Sequence, residues 1–65
     1  MYVIRLERRA ARTGEPAALL VMWLQSEFPM RWGERATAMQ FRTAGEAWRV
    51  AGKLKPTGVW SVEEA

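Results

Sequence analysis

The stretch FRTAGEAWRVAGKLKPTGVW, residues 41–60, contains the signals of a capped helix, a proline that ends it and a following strand. Within it, Thr43-Ala44-Gly45-Glu46 has the form of a capping box, a Ser or Thr followed three positions later by Glu. We expect the Thr43 hydroxyl to accept a hydrogen bond from the Glu46 N–H, and the Glu46 carboxylate to accept one from the Thr43 N–H. The stretch therefore predicts a helix that begins at Ala44.

The spacing of the apolar residues predicts which side of this helix faces a core. The residues that repeat at intervals of three and four are Ala44, Ala47, Trp48, Ala51 and Leu54, with Val50 at the edge of the stripe. Charged residues occupy the opposite side, at Glu46, Arg49 and Lys53. Pro56 disfavours helical backbone at Lys55, so the predicted helix covers residues 44–55.

Residues before this stretch predict a sheet. Residues 2–8 alternate and are rich in β-branched and aromatic side chains, so we expect a strand with Tyr2, Ile4 and Leu6 facing the core. Residues 9–16 contain the turn residues Thr, Gly and Pro, which indicates a reversal of the chain.

The apolar segment over residues 17–24 has two interpretations. Helical spacing is met by Ala17, Leu20, Val21, Leu24 and Phe28. Pro16 would also suit the first position of a helix, but no capping residue stands directly before it. Because the segment is short and follows a strand through a turn, we favour a second strand that forms a hairpin with the first.

Two further segments complete the expected sheet. Residues 25–35 are interpreted as a long connection, which Trp32 anchors by packing on the sheet, and residues 36–41 as a third strand. One face of that strand would carry Thr37, Met39 and Phe41. Residues 59–62 then read as a closing strand, followed by a solvated tail over residues 63–65.

The order β-β-β-α-β predicts an α+β fold, a small antiparallel sheet covered on one face by a single helix. The whole chain, residues 1–65, is expected to form one domain. Trp60 and Val62 would share the inner face of the last strand, and Trp48 and Trp60 would both belong to the core. A right-handed crossover would place the last strand parallel to the first, on that strand's free edge.

The composition excludes several classes of function. The chain has 65 residues and a net charge of +3, and contains no His, no Cys and no Asp. The usual general base and the common metal ligands are therefore missing, and we expect neither an enzyme nor a bound metal or cofactor. Without disulfides or a targeting segment, an intracellular, cytoplasmic protein is expected. The longest apolar run, residues 17–24, is too short to span a bilayer.

The remaining candidates are recognition surfaces rich in arginine. One group comprises Arg5, Arg8, Arg9 and Arg12, around the first hairpin and its outer sheet face. These side chains are candidates for phosphate contacts with nucleic acid. In the second group, Arg31 and Arg35 flank Trp32, and such residues are common in protein-binding hot spots. The alternative for both groups is a set of solvated charges that keeps a small protein soluble, and for Trp32 it is packing of the loop.

Two resemblances bear on function. The segments MYVIRL, GEPAALLVMW, W-G-E-R-A-x-A-M-x-F-x-T-x-x-E-A and GVWSVEEA resemble the layout of short uncharacterised proteins of bacteriophages and prophages. That resemblance implies a small non-enzymatic binder of host or phage machinery, a class that includes anti-defence inhibitors. It also implies a location in the cytoplasm of the host bacterial cell.

The second resemblance is local. QFRTAGEAWRVAGKL, residues 40–54, resembles the junction of third strand and helix in plant AP2-type DNA-binding domains and in the arm-binding domains of phage integrases. In those families the exposed sheet face enters the DNA major groove. The resemblance implies that Arg5, Arg8 and Arg12 would be the cations of that face.

We therefore expect a small phage-type protein that binds and modulates or inhibits a host or phage protein, with contacts at Arg31, Trp32 and Arg35. The alternative is a small basic DNA-binding domain that uses its sheet face, with contacts at Arg5, Arg8, Arg9 and Arg12. A protein stable only as a homo-oligomer is a third possibility, because so short a chain buries a thin core.

Overall fold

A computed structural model describes residues 1–10 and 18–65, and the predicted α+β fold is confirmed. The elements are β1 (Tyr2–Ala10), β2 (Ala18–Glu27), β3 (Met30–Gly33), a turn of 3₁₀ helix (Arg35–Thr37), α1 (Ala44–Leu54) and β4 (Val59–Glu64). The four strands form one sheet in the order β3-β2-β1-β4, and every neighbouring pair is antiparallel. Helix α1 packs on β1 and β4.

The first hairpin forms as predicted. Arg5 of β1 lies opposite Trp23 of β2, and Arg8 lies opposite Leu20. The interpretation of residues 17–24 as a strand and not a helix is confirmed from Ala18 onward. Most of the predicted turn before that segment lies outside the described residues. Strand β2 is longer than predicted and continues to Glu27.

The predicted third strand over residues 36–41 is wrong. The third strand is β3, inside the predicted connection, and the later segment contains the 3₁₀ turn and an isolated bridge between Phe41 and Tyr2. Pairing β3 with β2 sets Trp32 opposite Leu24 and packs the Trp32 ring against the core. Phe41 and Met39 reach the same core without a strand, so their alternation did not indicate pairing.

The core lies between α1 and the sheet. Its buried cluster consists of Ile4, Leu24, Phe41, Ala47 and Ala51. The predicted inner face of β1 is confirmed for Ile4 and Leu6, which are buried, while Tyr2 is half-buried. We call the face of the sheet that packs against α1 the inner face, and the opposite face the outer face.

Both ends of α1 agree with the sequence. The Thr43 hydroxyl accepts from the Glu46 N–H at 3.2 Å, which is half of the predicted capping box. At the other end Lys55 adopts the left-handed conformation, with φ of 48°, and its N–H donates to the Ala51 carbonyl at 3.0 Å. Pro56 follows directly and ends the helix, because it disfavours the right-handed helical conformation at Lys55.

The prediction that Trp48 belongs to the core is wrong, since Trp48 is 51% exposed. The helix instead contacts the sheet through Ala47 and Ala51, which are fully buried. Small side chains at these positions let the helix approach the sheet closely, and Trp48 is left at the edge of the contact. Its ring packs on the half-buried Trp60, with centroids 4.8 Å apart and planes at 58°.

The last strand occupies the predicted free edge of β1 but runs antiparallel to it, not parallel. The bridge between Phe41 and Tyr2 returns the chain to the beginning of β1 before the helix starts. The helix then carries the chain to the far end, and β4 must run back. The last strand is also longer than predicted, because Glu63 and Glu64 belong to β4 and pair with Val3 and Tyr2. Glu64 and Ala65 are exposed, as predicted for the tail, and Glu63 is half-buried.

Candidate functional site

The structure does not gather Arg31, Trp32 and Arg35 into one surface. Trp32 lies in β3 rather than in a loop, is half-buried, and packs on the core from the inner face. Arg31 precedes it and is exposed. Arg35 begins the 3₁₀ turn and reaches the outer face, where its guanidinium carbon lies 4.8 Å from the centre of the Trp23 ring.

Arg35 braces the outer face of the sheet. Besides Trp23 of β2, it contacts β4, where it donates to the Glu64 carbonyl at 2.9 Å and lies 3.5 Å from the Glu63 carboxylate. Because β1 runs between β2 and β4, this side chain spans β1. Val3 of β1 lies opposite Glu63 and is 1% exposed, although it faces away from the helix. The outer face therefore has a small buried centre of its own.

Arg5 belongs to the same cluster. Its guanidinium forms an ion pair with Glu7 and lies 3.8 Å from the Glu63 carboxylate. Two carboxylates thus face the two guanidinium groups of Arg5 and Arg35 on this part of the outer face. A surface neutralised in this way attracts phosphate weakly, because a DNA contact would have to displace the carboxylates.

The predicted nucleic-acid residues do not share one face. Strand alternation sets Arg5 and Arg9 on the outer face and Arg8 on the inner face, opposite Leu20. Arg8 and Arg9 are exposed, and Arg12 lies outside the described residues. The structure thus separates Arg5 from Arg8, which the resemblance to AP2-type domains had grouped together.

Sequence reasoning missed the most exposed aromatic side chain among the described residues. Phe28 is 96% exposed and forms, with Pro29, the two-residue turn between β2 and β3. Met30, the next residue, is 47% exposed, and Arg31 is exposed beside it. We call residues 28–31 the hairpin tip. The signal in the sequence is the run of three consecutive apolar residues before an arginine, which lies within the predicted long connection.

A second exposed apolar region lies where the first hairpin extends beyond the rest of the sheet. Strand β4 pairs with β1 only as far as Glu7, and β3 pairs with β2 only from Trp23 onward. Leu19, Leu20 and Val21 of β2 are 55%, 46% and 41% exposed. This part of the sheet is a two-stranded ribbon with apolar side chains on both faces.

The described residues form no obvious site for small-molecule chemistry. Within residues 1–10 and 18–65, no group of three or more His, Cys, Asp or Glu side chains is placed to hold a metal ion. A cleft of about 260 Å³ lies between β1, the start of β2 and the loop before β4. Ligand pockets usually measure about 300–1,000 Å³, so this cleft does not argue for a substrate.

Two further findings complete the description. In the part of the chain that the structure describes, no helix has the length and apolar character needed to cross a membrane. Comparison with family models, with curated proteins and with solved structures found no match.

Proposed function

We propose that this chain is a small non-enzymatic binding protein that recognises a partner protein through the hairpin tip. The observation that carries the proposal is the 96% exposure of Phe28 on a turn of only two residues. A run of three exposed apolar residues is unfavourable in water unless a partner covers it. Phe, Met and Arg are also the residue types enriched in protein interfaces, and the tip presents all three.

The strands behind the tip hold it in place. Trp32 packs on the core, and Leu24 opposite it is fully buried. At a bulge in β2, the Gln25 side-chain amide donates to the Glu34 carbonyl at 2.6 Å and to the Trp23 carbonyl at 3.1 Å. A tip on such a scaffold loses little conformational entropy on binding. In this proposal Trp32 supports the contact surface, Arg31 takes part in it, and Arg35 braces the outer face of the sheet away from the tip.

The chemistry of the tip specifies its partner. We infer an apolar pocket that accepts the Phe28 ring, with an acidic rim opposite Arg31. The resemblance to bacteriophage and prophage proteins supports a partner among host or phage proteins, whose activity the chain would modulate or inhibit in the bacterial cytoplasm. The absence of His, Cys and Asp from the sequence supports a role without catalysis.

The test is a comparison of variants. Immobilised parent protein, Phe28→Ser and Val59→Ser are each exposed to host lysate, and the captured proteins are identified by mass spectrometry. Val59 is 71% exposed and distant from the tip, so Val59→Ser is the matched control for loss of an exposed apolar side chain. We expect one protein to be retained by the parent and the control, and lost with Phe28→Ser.

Binding measurements with the purified partner then give the change in Kd. A central aromatic anchor contributes at least about 2 kcal/mol, so Phe28→Ser should raise Kd by about 30-fold or more. Arg31→Ala should mainly slow association and weaken its dependence on salt. Equal capture by Phe28→Ser and the control would exclude the tip as the binding surface.

DNA binding is the second candidate, and the exposure of Arg8 and Arg9 favours it. Under that hypothesis, replacing both with Ala should lower the slope of log K against log salt for duplex DNA by about 1.8, or about 0.9 for each lost phosphate contact. Under the preferred proposal, duplex binding stays weak, and Phe28→Ser does not alter it. Tight duplex binding at physiological salt, with that change in slope, would favour DNA as the ligand.

A further inference from the structure

Part of one edge of β2 is unpaired among the described residues, and this part is separate from the hairpin tip. Strand β1 pairs with one edge of β2 from Ala18 to Trp23, and β3 pairs with the other edge only from Trp23 to Glu27. Among the described residues, none pairs with that second edge over residues 18–22. A strand edge of this kind offers its N–H and C=O groups to another strand.

The residues along this edge are unusual for an exposed strand. Residues 18–22 read Ala-Leu-Leu-Val-Met, with no charge and no proline. Protein edges are normally protected against pairing by charged side chains, proline or bulges. The free edge of β1 in the same ribbon does carry charges, at Arg8 and Arg9. The ribbon is thus protected on one edge and open on the other.

We propose that this edge pairs with the same edge of a second copy of the chain, in an antiparallel dimer centred on Leu20. A twofold axis perpendicular to the sheet keeps each face on its own side, so the two Leu20 residues lie opposite each other, and Leu19 lies opposite Val21. The end of β3 limits the free window at Met22 and the start of β2 limits it at Ala18, and Leu20 is the middle of that window.

The lack of charge in residues 18–22 favours a second copy as the partner, because pairing this edge with itself brings no like charges close together. On the outer face, Glu7 lies opposite Val21 and Arg9 lies opposite Leu19 within one chain. Across the dimer, the residues that lie side by side in one row on the outer face are Glu7 and Val21 of one copy, followed by Leu19 and Arg9 of the second copy. Every such row has an acid at one end and a base at the other, and no two like charges share it.

The like charges that remain are far apart. The inner row through Leu20 ends in Arg8 of each copy. The two β1 strands that carry these arginines are three strand spacings apart, which is about 14 Å at about 4.8 Å per spacing. This separation exceeds the Debye length of about 8 Å at physiological salt. Repulsion between the two arginines is therefore largely screened, and so is the attraction between Glu7 and the second copy's Arg9, which are equally far apart. The pairing would join the two sheets into one of eight strands.

Sedimentation equilibrium from about 10 µM to about 1 mM tests the proposal, because a paired segment of five residues gives weak association. We expect a reversible dimer of the parent protein. Leu20→Lys and Leu20→Glu should each raise the dimer dissociation constant at least about tenfold, because like charges then lie directly opposite each other. An equimolar mixture of the two variants should associate again, since Lys then faces Glu. Val59→Lys, which adds a charge elsewhere on the sheet, should dimerise as the parent does.

A cross-linking variant checks the centre of the dimer. The chain contains no cysteine, so Leu20→Cys provides a single thiol that should form an intermolecular disulfide under mild oxidation, faster than Val59→Cys. Circular dichroism confirms that each variant is folded, and Leu20 is exposed enough to be replaced. A parent protein that stays monomeric, assemblies larger than a dimer, or a mixture of charge variants that does not associate would each overturn the proposal.

Discussion

The turn before β4 provides the sharpest test of the structure, because it requires a glycine. Gly58 has φ of 126°, a backbone conformation that L-residues rarely adopt. A Cβ at this position would lie 2.4 Å from the Glu7 carbonyl oxygen, well inside the 3.0 Å that real Cβ contacts respect. Gly52, in contrast, lies on the exposed side of α1, and a Cβ there would meet nothing within 4 Å. The same substitution should therefore have opposite effects at the two positions.

The expected magnitudes follow from these geometries. Gly58→Ala imposes a backbone strain of about 1–3 kcal/mol. The contact with the Glu7 carbonyl also pushes β4 away from β1 where Val59 pairs with Glu7, which weakens hydrogen bonds that contribute about 0.5–1.5 kcal/mol each. A total loss of about 2–4 kcal/mol would leave little stability in so small a domain. Gly52→Ala should instead stabilise by about 0.5–1 kcal/mol, because Ala has less freedom to lose in the helix.

Thermal unfolding followed by circular dichroism measures both effects. In a domain of this size, about 1 kcal/mol shifts Tm by about 4–8 °C. Gly52→Ala should raise Tm by about 2–8 °C, and Gly58→Ala should lower it by more than about 8 °C. If Gly58→Ala melts within about 2 °C of the parent protein, residue 58 neither requires a positive φ nor lies against the Glu7 carbonyl oxygen.

Substitutions at four further positions test other parts of the fold by urea denaturation. Trp48→Ala should cost about 1–3 kcal/mol rather than about 3–5, because only half of the side chain is buried; a larger loss would place Trp48 in the core. Thr43→Ala should cost about 0.5–2 kcal/mol through the lost helix cap, and Thr43→Ser should retain most of the stability. Lys55→Gly should stabilise by up to about 1 kcal/mol, since Gly adopts the left-handed conformation without strain; a loss would contradict that conformation. Arg35→Ala should cost about 0.5–2 kcal/mol, less at high salt, and an effect independent of salt would argue against its ion pair with Glu63.

The candidate sites were only partly predictable. The sequence drew attention to residues 25–35, and Arg31 does lie at the hairpin tip. It offered Trp32 as the candidate surface anchor, with packing on the sheet as the alternative; Trp32 packs on the core, and Phe28 is the exposed aromatic. The choice depends on which residue of the segment occupies the turn. Local pattern does not fix that choice, because both residues are aromatic and lie beside turn-forming residues.

Features that depend on neighbouring residues could be predicted from the sequence. Alternation in β1, the Thr43 cap, the end of α1 before Pro56 and the α+β class all follow from interactions within a few positions of the chain. Such interactions are the same in every compact fold of this sequence, so pattern and propensity suffice to predict them.

The pairing of the strands and the covering of their faces depend instead on contacts between distant parts of the chain. The third strand formed where Trp32 could lie opposite Leu24, and Phe41 bridged to Tyr2, which reversed the direction of β4. Contact through Ala47 and Ala51 left Trp48 exposed. These outcomes depend on burial summed over residues far apart in the chain. The register of a β-strand cannot be predicted from one segment alone, because the energy of the register depends on both paired strands.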